Sequence, residues 1–105
     1  MEFDLSDLKK EIRSRISNVK FKTHFYDKVK ERPYLSESLI IDSLKRFDEY
    51  LGFQTHEIKG EERQRVAITL SGKYNLVIVL VITNQSLNII TAWKTNRRWQ
   101  KAMQK

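Results

Sequence analysis

The 105-residue chain contains no cysteine, one proline and three glycines, and its longest apolar run, residues 76–82, is seven residues long. The lack of cysteine excludes disulfides, thiolate metal centres and a thiol nucleophile. Seven residues are too few to span a bilayer, and residues 1–4 lack the basic-then-apolar layout of a secretion signal. We therefore expect a single soluble domain, residues 1–105, located in the cytoplasm and without a membrane partner.

Acidic residues are missing from the second part of the chain. Residues 63–105 hold eight Lys or Arg and no Asp or Glu, whereas residues 1–62 hold twelve basic and thirteen acidic residues. A long stretch of one charge sign suits a polyanionic partner such as RNA, DNA or an acidic protein. The alternative is a basic surface that merely keeps the protein in solution. Charge alone does not choose among these partners.

The first half of the chain has helical periodicity. Apolar residues recur at helical spacing over residues 4–18, 22–31 and 36–51. Pro33 should end the second of these helices, because the residue before a proline disfavours the helical conformation. Gly52 is placed to end the third. The sequence thus predicts three helices before residue 52.

After Gly52 the pattern changes to alternation, which predicts strands at residues 53–59, 63–71, 74–83 and 87–93. The third strand is apolar on both faces and should be central. The predicted class is α+β, with N-terminal helices packed on a four-stranded antiparallel β-meander. The residues expected to be largely buried are Leu5, Leu8, Leu39, Leu44, Phe47, Val77, Val79 and Val81.

His24 is the first candidate for chemistry, because it lies among Lys22, Lys28 and Arg32. An imidazole can give and take a proton near neutral pH, and the surrounding cations would attract a phosphate. The alternative is an ordinary surface histidine on a helix with solvated lysines around it.

His56 is the second of the two histidines and lies on the predicted edge strand. The two histidines do not have a metal-binding spacing, and the sequence contains no glycine-rich phosphate loop. We therefore expect no metal and no cofactor. His56 is interpreted as a surface residue, so that His56→Ala should leave the activity of the protein unchanged.

The C-terminal segment combines aromatic, hydroxyl and basic side chains. On a strand, Thr91, Trp93 and Thr95 share one face. The basic residues beside them are Lys94, Arg97, Arg98 and Lys101. Stacking on an indole together with basic contacts is a common way to hold single-stranded RNA. The alternative is that Trp93 and Trp99 are core residues packed under the helices.

Two segments carry a resemblance to a known family. Residues 24–36 are similar to the opening of one branch of the small ribonuclease toxins of the barnase–colicin–RelE superfamily, and residues 89–96 look like the end of the colicin D nuclease domain. The resemblance covers residues 20–99. It implies a RelE/colicin D-like fold with residues 1–19 as an accessory N-terminal helix and residues 100–105 as a basic tail.

The resemblance also implies a function, namely metal-independent cleavage of RNA by its own 2′-hydroxyl. The catalytic roles would fall on His24, Lys22, Thr91 and Trp93. Thr91 stands where the family has a serine, and Lys22 precedes His24 by two residues instead of one. The positive charge at the phosphate would come from Lys22, Lys28, Arg32 or Arg65. The implied partners are tRNA or mRNA and an acidic antitoxin or immunity protein.

Other functions are compatible with the same residues. The chain could be a non-catalytic module of this fold that binds nucleic acid or an acidic protein, because a fold does not determine a function. An adaptor role is a third option that the sequence does not test. The sequence identifies no second proton-transfer group beside His24, although cleavage of this type needs both a proton acceptor and a proton donor.

Overall fold

Three helices cover one face of a five-stranded sheet in the computed structural model, which describes residues 3–96. The elements in chain order are α1 (Leu5–Arg15), β1 (Val19–Phe21), α2 (Thr23–Glu31), α3 (Glu37–Lys45), a short 3₁₀ turn (Phe47–Glu49), β2 (Tyr50–Ile58), β3 (Glu61–Thr69), β4 (Tyr74–Ile82) and β5 (Leu87–Asn96). The predicted α+β class is confirmed. Within the described residues, no helix is long and apolar enough to cross a membrane.

The strands are ordered β1-β5-β4-β3-β2, and β2 to β5 form the predicted antiparallel meander with β4 inside the sheet. The prediction of four strands, all antiparallel, was wrong because β1 adds a fifth strand. β1 pairs in parallel with β5, with Val19 opposite Leu87. Three residues are too few to show alternation, and β1 lies between two segments with helical spacing. The sequence pattern therefore gave no sign of this strand.

The third helix is shorter than predicted, because α3 ends at Lys45 and not at residue 51. Gly52 therefore lies inside β2 and does not cap a helix. The Tyr50 hydroxyl donates a hydrogen bond to the Leu44 carbonyl at 2.8 Å. A tertiary contact thus satisfies a carbonyl that a continuing helix would have paired with its own backbone.

One hydrophobic core joins all three helices to the sheet. Leu8 and Ile12 of α1 are fully buried in the same cluster as Phe25 of α2 and Leu44 of α3, so the predicted accessory helix packs into the common core. Of the residues expected to be largely buried, Leu8, Leu44 and Val77 are fully buried. The others are partly buried, namely Leu5, Leu39, Phe47, Val79 and Val81.

A β-bulge in β5 changes which residues face the helices. Val79 pairs with Thr91, but Leu80 pairs with Ile89, so Ile90 is an extra residue in β5. Because side chains alternate along a strand, one extra residue reverses the alternation. Ile89 points into the core, whereas Thr91 points to the opposite side of the sheet, which we call the open face.

β2 contains a similar irregularity near its start. Tyr50 pairs with Ile68 and Gly52 pairs with Ala67, so Leu51 is the extra residue. Tyr50 lies in the core, and the reversal directs His56 to the open face together with its cross-strand partner Arg63. The two bulges thus bring polar residues from distant strands to the same face.

The burial of Tyr50 and its hydrogen bond to the Leu44 carbonyl can be tested by mutation. We expect Tyr50→Phe to lower the free energy of unfolding at pH 7 by about 1 kcal/mol, because the Leu44 carbonyl loses its partner. Burial raises the pKa of Tyr50 above its ordinary value of 10.0. The unfolded tyrosine therefore ionises first, so that wild-type stability falls by about 1 kcal/mol per pH unit above 10. Denaturant titrations at pH 7 and pH 11 should show the gap between the two proteins closing at high pH.

The matched control for this test is Tyr74→Phe, because Tyr74 is 41% exposed. It should leave the unfolding free energy within about 0.5 kcal/mol of wild type at pH 7. An equal gap between wild type and Tyr50→Phe at both pH values would contradict the burial of the Tyr50 hydroxyl.

Candidate functional site

The open face of the sheet carries a depression of about 200 Å³, which we call the trough. It is several times larger than the ~30 Å³ that one water molecule occupies in the liquid. Four strands and α2 contribute to its walls and floor. The lining residues are His24, His56, Ile58, Arg63, Arg65, Val79, Ile90, Thr91 and Trp93.

Helix α2 brings His24 to one wall of the trough. The Lys22 backbone N–H donates to the Ile89 carbonyl at 2.9 Å, so α2 starts beside β5 next to the Ile90 bulge. Phe25 is fully buried and packs against Phe21 with ring centroids 4.8 Å apart. His24, one residue before this anchor, remains exposed.

Arg65 of β3 supplies positive charge to the trough. Its guanidinium carbon lies 5.5 Å from the centre of the Trp93 ring, a cation–π geometry. Its Nε is buried without a hydrogen-bond partner. Among the described residues that line the trough, none is acidic. No described residue of this lining neutralises the charge of Arg65 or accepts a hydrogen bond from its Nε. An anionic ligand could do both.

Trp93 and Thr91 lie along β5 on the floor of the trough. Trp93 packs on Ala67 and Val77 on the open face, away from the helical core. It is therefore not the tryptophan packed under the helices that the alternative interpretation required. The Thr91 hydroxyl lies 3.4 Å from a guanidinium nitrogen of Arg32, which also donates to the Ala92 carbonyl at 3.1 Å.

Several predicted site residues lie elsewhere. Lys22 is the exposed residue at the start of α2 and does not line the trough. The Lys28 ammonium is 3.1 Å from the Glu31 carboxylate, and this contact lowers the pKa of Glu31. Arg32 ties the end of α2 to β5. Of these three residues, Arg32 reaches the trough indirectly, by holding Thr91.

Lys94 was grouped with Trp93 in the sequence, and the structure separates the two. Its ammonium lies 4.6 Å from the Tyr34 ring centre and 4.8 Å from that of Tyr74. Consecutive residues of a strand point to opposite faces, so Lys94 is on the side of the helices. Arg97, Arg98, Trp99 and Lys101 lie outside the described residues.

Comparison of the chain with protein-family models, curated proteins and solved structures gave no match. The interpretation of the trough therefore depends on its own geometry.

His56 and Arg63 are trough residues that the sequence analysis did not select. The turn between β2 and β3 consists of Lys59 and Gly60, both with positive φ, at 52° and 81°. Positive φ at both positions is typical of the type I′ turn, which fixes the strand register at two loop residues. Ile58 then pairs with Glu61, and His56 with Arg63.

The missed signal was the position of this turn. The alternating pattern predicted that the second strand of the hairpin begins at residue 63, whereas β3 starts at Glu61. Gly60 at the second position of a two-residue turn was the available sign of the correct register. A turn at Lys59 and Gly60 pairs His56 with Arg63.

The trough therefore combines four kinds of groups. Two imidazoles can move protons, the Arg65 guanidinium can bind an anion, an indole can stack on a base, and a hydroxyl can position a phosphate oxygen. The second guanidinium, of Arg63, lies 2.9 Å from the carboxylate of Glu61, which is not part of the lining. Within residues 3–96, no three His, Asp or Glu side chains are grouped as metal ligands. This set of groups suits binding of a phosphodiester and proton transfer at its oxygens.

Proposed function

We propose that this protein is a ribonuclease of toxin type that cleaves RNA without a metal ion. The 2′-hydroxyl of the RNA attacks the adjacent phosphate, His24 transfers a proton, and Arg65 stabilises the charge that develops on the phosphate oxygens. Thr91 positions the phosphate, and Trp93 stacks on a neighbouring base. The products are a 2′,3′-cyclic phosphate and a 5′-hydroxyl.

The meeting of His24, Arg65, Thr91 and Trp93 in one trough carries this proposal. His24 and Trp93 are 69 positions apart in the chain, and they come from a helix and the last strand of the sheet. Among its described residues, the lining contains an imidazole and a guanidinium and no acidic residue. The guanidinium suits an anionic substrate, and the imidazole suits a reaction that requires proton transfer.

The toxin role and the RelE/colicin D-like fold are parts of the same proposal. They are supported by helices that precede an antiparallel meander and by a last strand that presents Thr91 and Trp93. A cytoplasmic protein of this kind would act on tRNA or mRNA. An acidic antitoxin or immunity protein would inhibit it by covering the cationic trough.

The experiment is incubation of the purified protein with total tRNA and rRNA in the presence of EDTA. We expect cleavage products that end in a 2′,3′-cyclic phosphate. DNA and 2′-O-methyl RNA of the same sequence should remain intact, because they lack the attacking hydroxyl. Intact RNA after prolonged incubation, or equal cleavage of DNA, would overturn the proposal.

The acid-free segment supports a second candidate function, RNA binding without cleavage. RNA affinity should fall steeply with salt, because phosphate contacts release counterions. Replacement of Arg97, Arg98 and Lys101 together by alanine should lower the affinity and reduce the slope of log K against log salt by about 2. Binding titrations between 50 and 200 mM salt, about the range in which such effects are large, measure both quantities.

A matched variant removes three exposed lysines from the helices, Lys10, Lys30 and Lys45. It lowers the net charge equally, yet its salt slope should stay near that of wild type. Equal losses in the two variants would show that net charge, and not the C-terminal residues, determines binding. Salt-sensitive binding without any cleavage would select the binding module over the ribonuclease.

A further inference from the structure

We propose that His56 is the second proton-transfer residue of the site and acts with His24 from the opposite wall of the trough. This inference rests on the proposed ribonuclease function and extends it. It assigns a catalytic role to a residue that the sequence analysis interpreted as a surface histidine. The observation behind it is that both histidines line the same depression.

The sheet order places the two imidazoles on opposite sides. His56 belongs to β2, an edge strand, whereas His24 belongs to α2, which is tied to β5 on the other side of β3 and β4. Three strand spacings of about 4.8 Å separate the β2 and β5 backbones by about 14 Å. Both side chains line the depression of about 200 Å³, which offers room for a phosphodiester between them.

Opposite walls suit the geometry of this reaction. In an in-line displacement the attacking 2′-oxygen and the leaving 5′-oxygen lie on opposite sides of phosphorus, so one residue on one wall reaches only one of them. A proton acceptor is required at the first oxygen and a proton donor at the second. Arg65 on the floor, between the two walls, faces the phosphate oxygens that gain charge.

Both imidazoles are also available to a substrate. His24 and His56 are exposed, and neither ring makes a hydrogen bond to another residue in the described part of the chain. Each neutral imidazole has one ring nitrogen that donates and one that accepts a hydrogen bond, so both nitrogens can meet a ligand. The charged residues that line the trough with them are Arg65, which has no acidic partner among the described lining residues, and Arg63, whose guanidinium lies 2.9 Å from the Glu61 carboxylate.

The cleavage step balances with these two groups alone. One neutral imidazole takes the proton of the 2′-hydroxyl while the 2′-oxygen forms a bond to phosphorus. The bond from phosphorus to the 5′-oxygen breaks, and the other imidazole, initially protonated, gives its proton to that oxygen. The two histidines have then exchanged protonation states, and proton exchange with water restores them.

The first test is the His56→Gln variant. We expect it to cleave RNA about 10²–10⁴-fold more slowly than wild type, as is usual for loss of a general acid or base. The matched control is Glu57→Gln, the next residue of β2, which is exposed and does not line the trough. It should cleave at the wild-type rate. Thermal melts of both variants check that each is folded.

The second test distinguishes proton transfer from a structural role. In an RNA whose scissile 5′-oxygen is replaced by sulfur, the leaving thiolate does not need a proton. The variant that lacks the proton donor should therefore regain a near wild-type rate on this substrate. The variant that lacks the proton acceptor should stay slow. We expect one of His24→Gln and His56→Gln to be rescued and the other not.

Each outcome bears on one proposal. If wild type cleaves RNA and folded His56→Gln cleaves equally fast, the pairing of histidines is wrong and the ribonuclease function stands. If His56→Gln is slow but the sulfur substrate rescues neither variant, His56 does not act in a donor–acceptor pair. If wild type does not cleave RNA at all, the proposed function itself fails.

Discussion

Replacement of His24 by alanine is expected to slow RNA cleavage about 10²–10⁴-fold and to leave the Kd for RNA within about twofold of wild type. In the proposed mechanism the imidazole acts on protons that move during the reaction, so its loss would raise the barrier without removing a ground-state contact to phosphate. The measurement is a single-turnover cleavage rate together with a binding titration on a non-cleavable 2′-O-methyl RNA. The protein should remain folded, because His24 is exposed.

Two further observations sharpen this test. Imidazole added to the solution should restore part of the activity of His24→Ala, since the truncated side chain leaves space at the open wall of the trough. Lys30→Ala is the matched control, because Lys30 is exposed on the same helix and does not line the trough. A wild-type rate for His24→Ala, or an equal loss in Lys30→Ala, would remove His24 from the mechanism.

Arg65→Ala is expected to lower the cleavage rate about 10²–10³-fold, the range seen when a donor to developing negative charge is removed. The Arg65 side chain has a buried Nε without a partner and stacks on Trp93, so the guanidinium is held in place before substrate arrives. Arg65→Lys keeps the charge but loses the planar fork, and it should fall between alanine and wild type. Cleavage rates at saturating RNA measure this effect.

The matched control for Arg65 is Arg13→Ala. Arg13 also lies over an aromatic ring, 4.5 Å from the centre of Phe47, but it belongs to α1 on the helical side of the sheet. Its removal should leave the cleavage rate unchanged. Equal effects of the two substitutions would mean that net charge, and not the position of Arg65, determines the rate.

The sequence predicted those helices and strands in which apolar residues recur at a regular spacing. Apolar spacing located α1 and α2, and alternation located β2 to β5, because burial on one face imposes these patterns directly. β1 and the end of α3 depend on contacts with other parts of the chain. These are the parallel pairing of the three residues of β1 with β5 and the hydrogen bond from Tyr50 to Leu44. Periodicity does not encode such contacts.

The sequence likewise predicted some residues of the candidate site and missed others. Thr91 and Trp93 share a face by simple alternation, and the trough brings His24 and Arg65 to that face. His56 was missed because the turn at Lys59 and Gly60, which pairs it with Arg63, was placed too late in the sequence. Lys94 follows Trp93 in the sequence but lies outside the trough, because neighbouring strand residues face opposite ways.

The attachment of α2 to β5 has a consequence for the timing of folding. The carbonyls that hold α2 belong to Ile89 and Ala92, more than sixty positions after the start of the helix. Contacts between residues so far apart in sequence form late, because closing the intervening chain costs entropy. A chain growing on the ribosome would carry His24 early but could not assemble the trough until β5 is available. If the proposed ribonuclease activity resides in the trough, the nascent protein would therefore leave intact the RNA that surrounds it during its own synthesis.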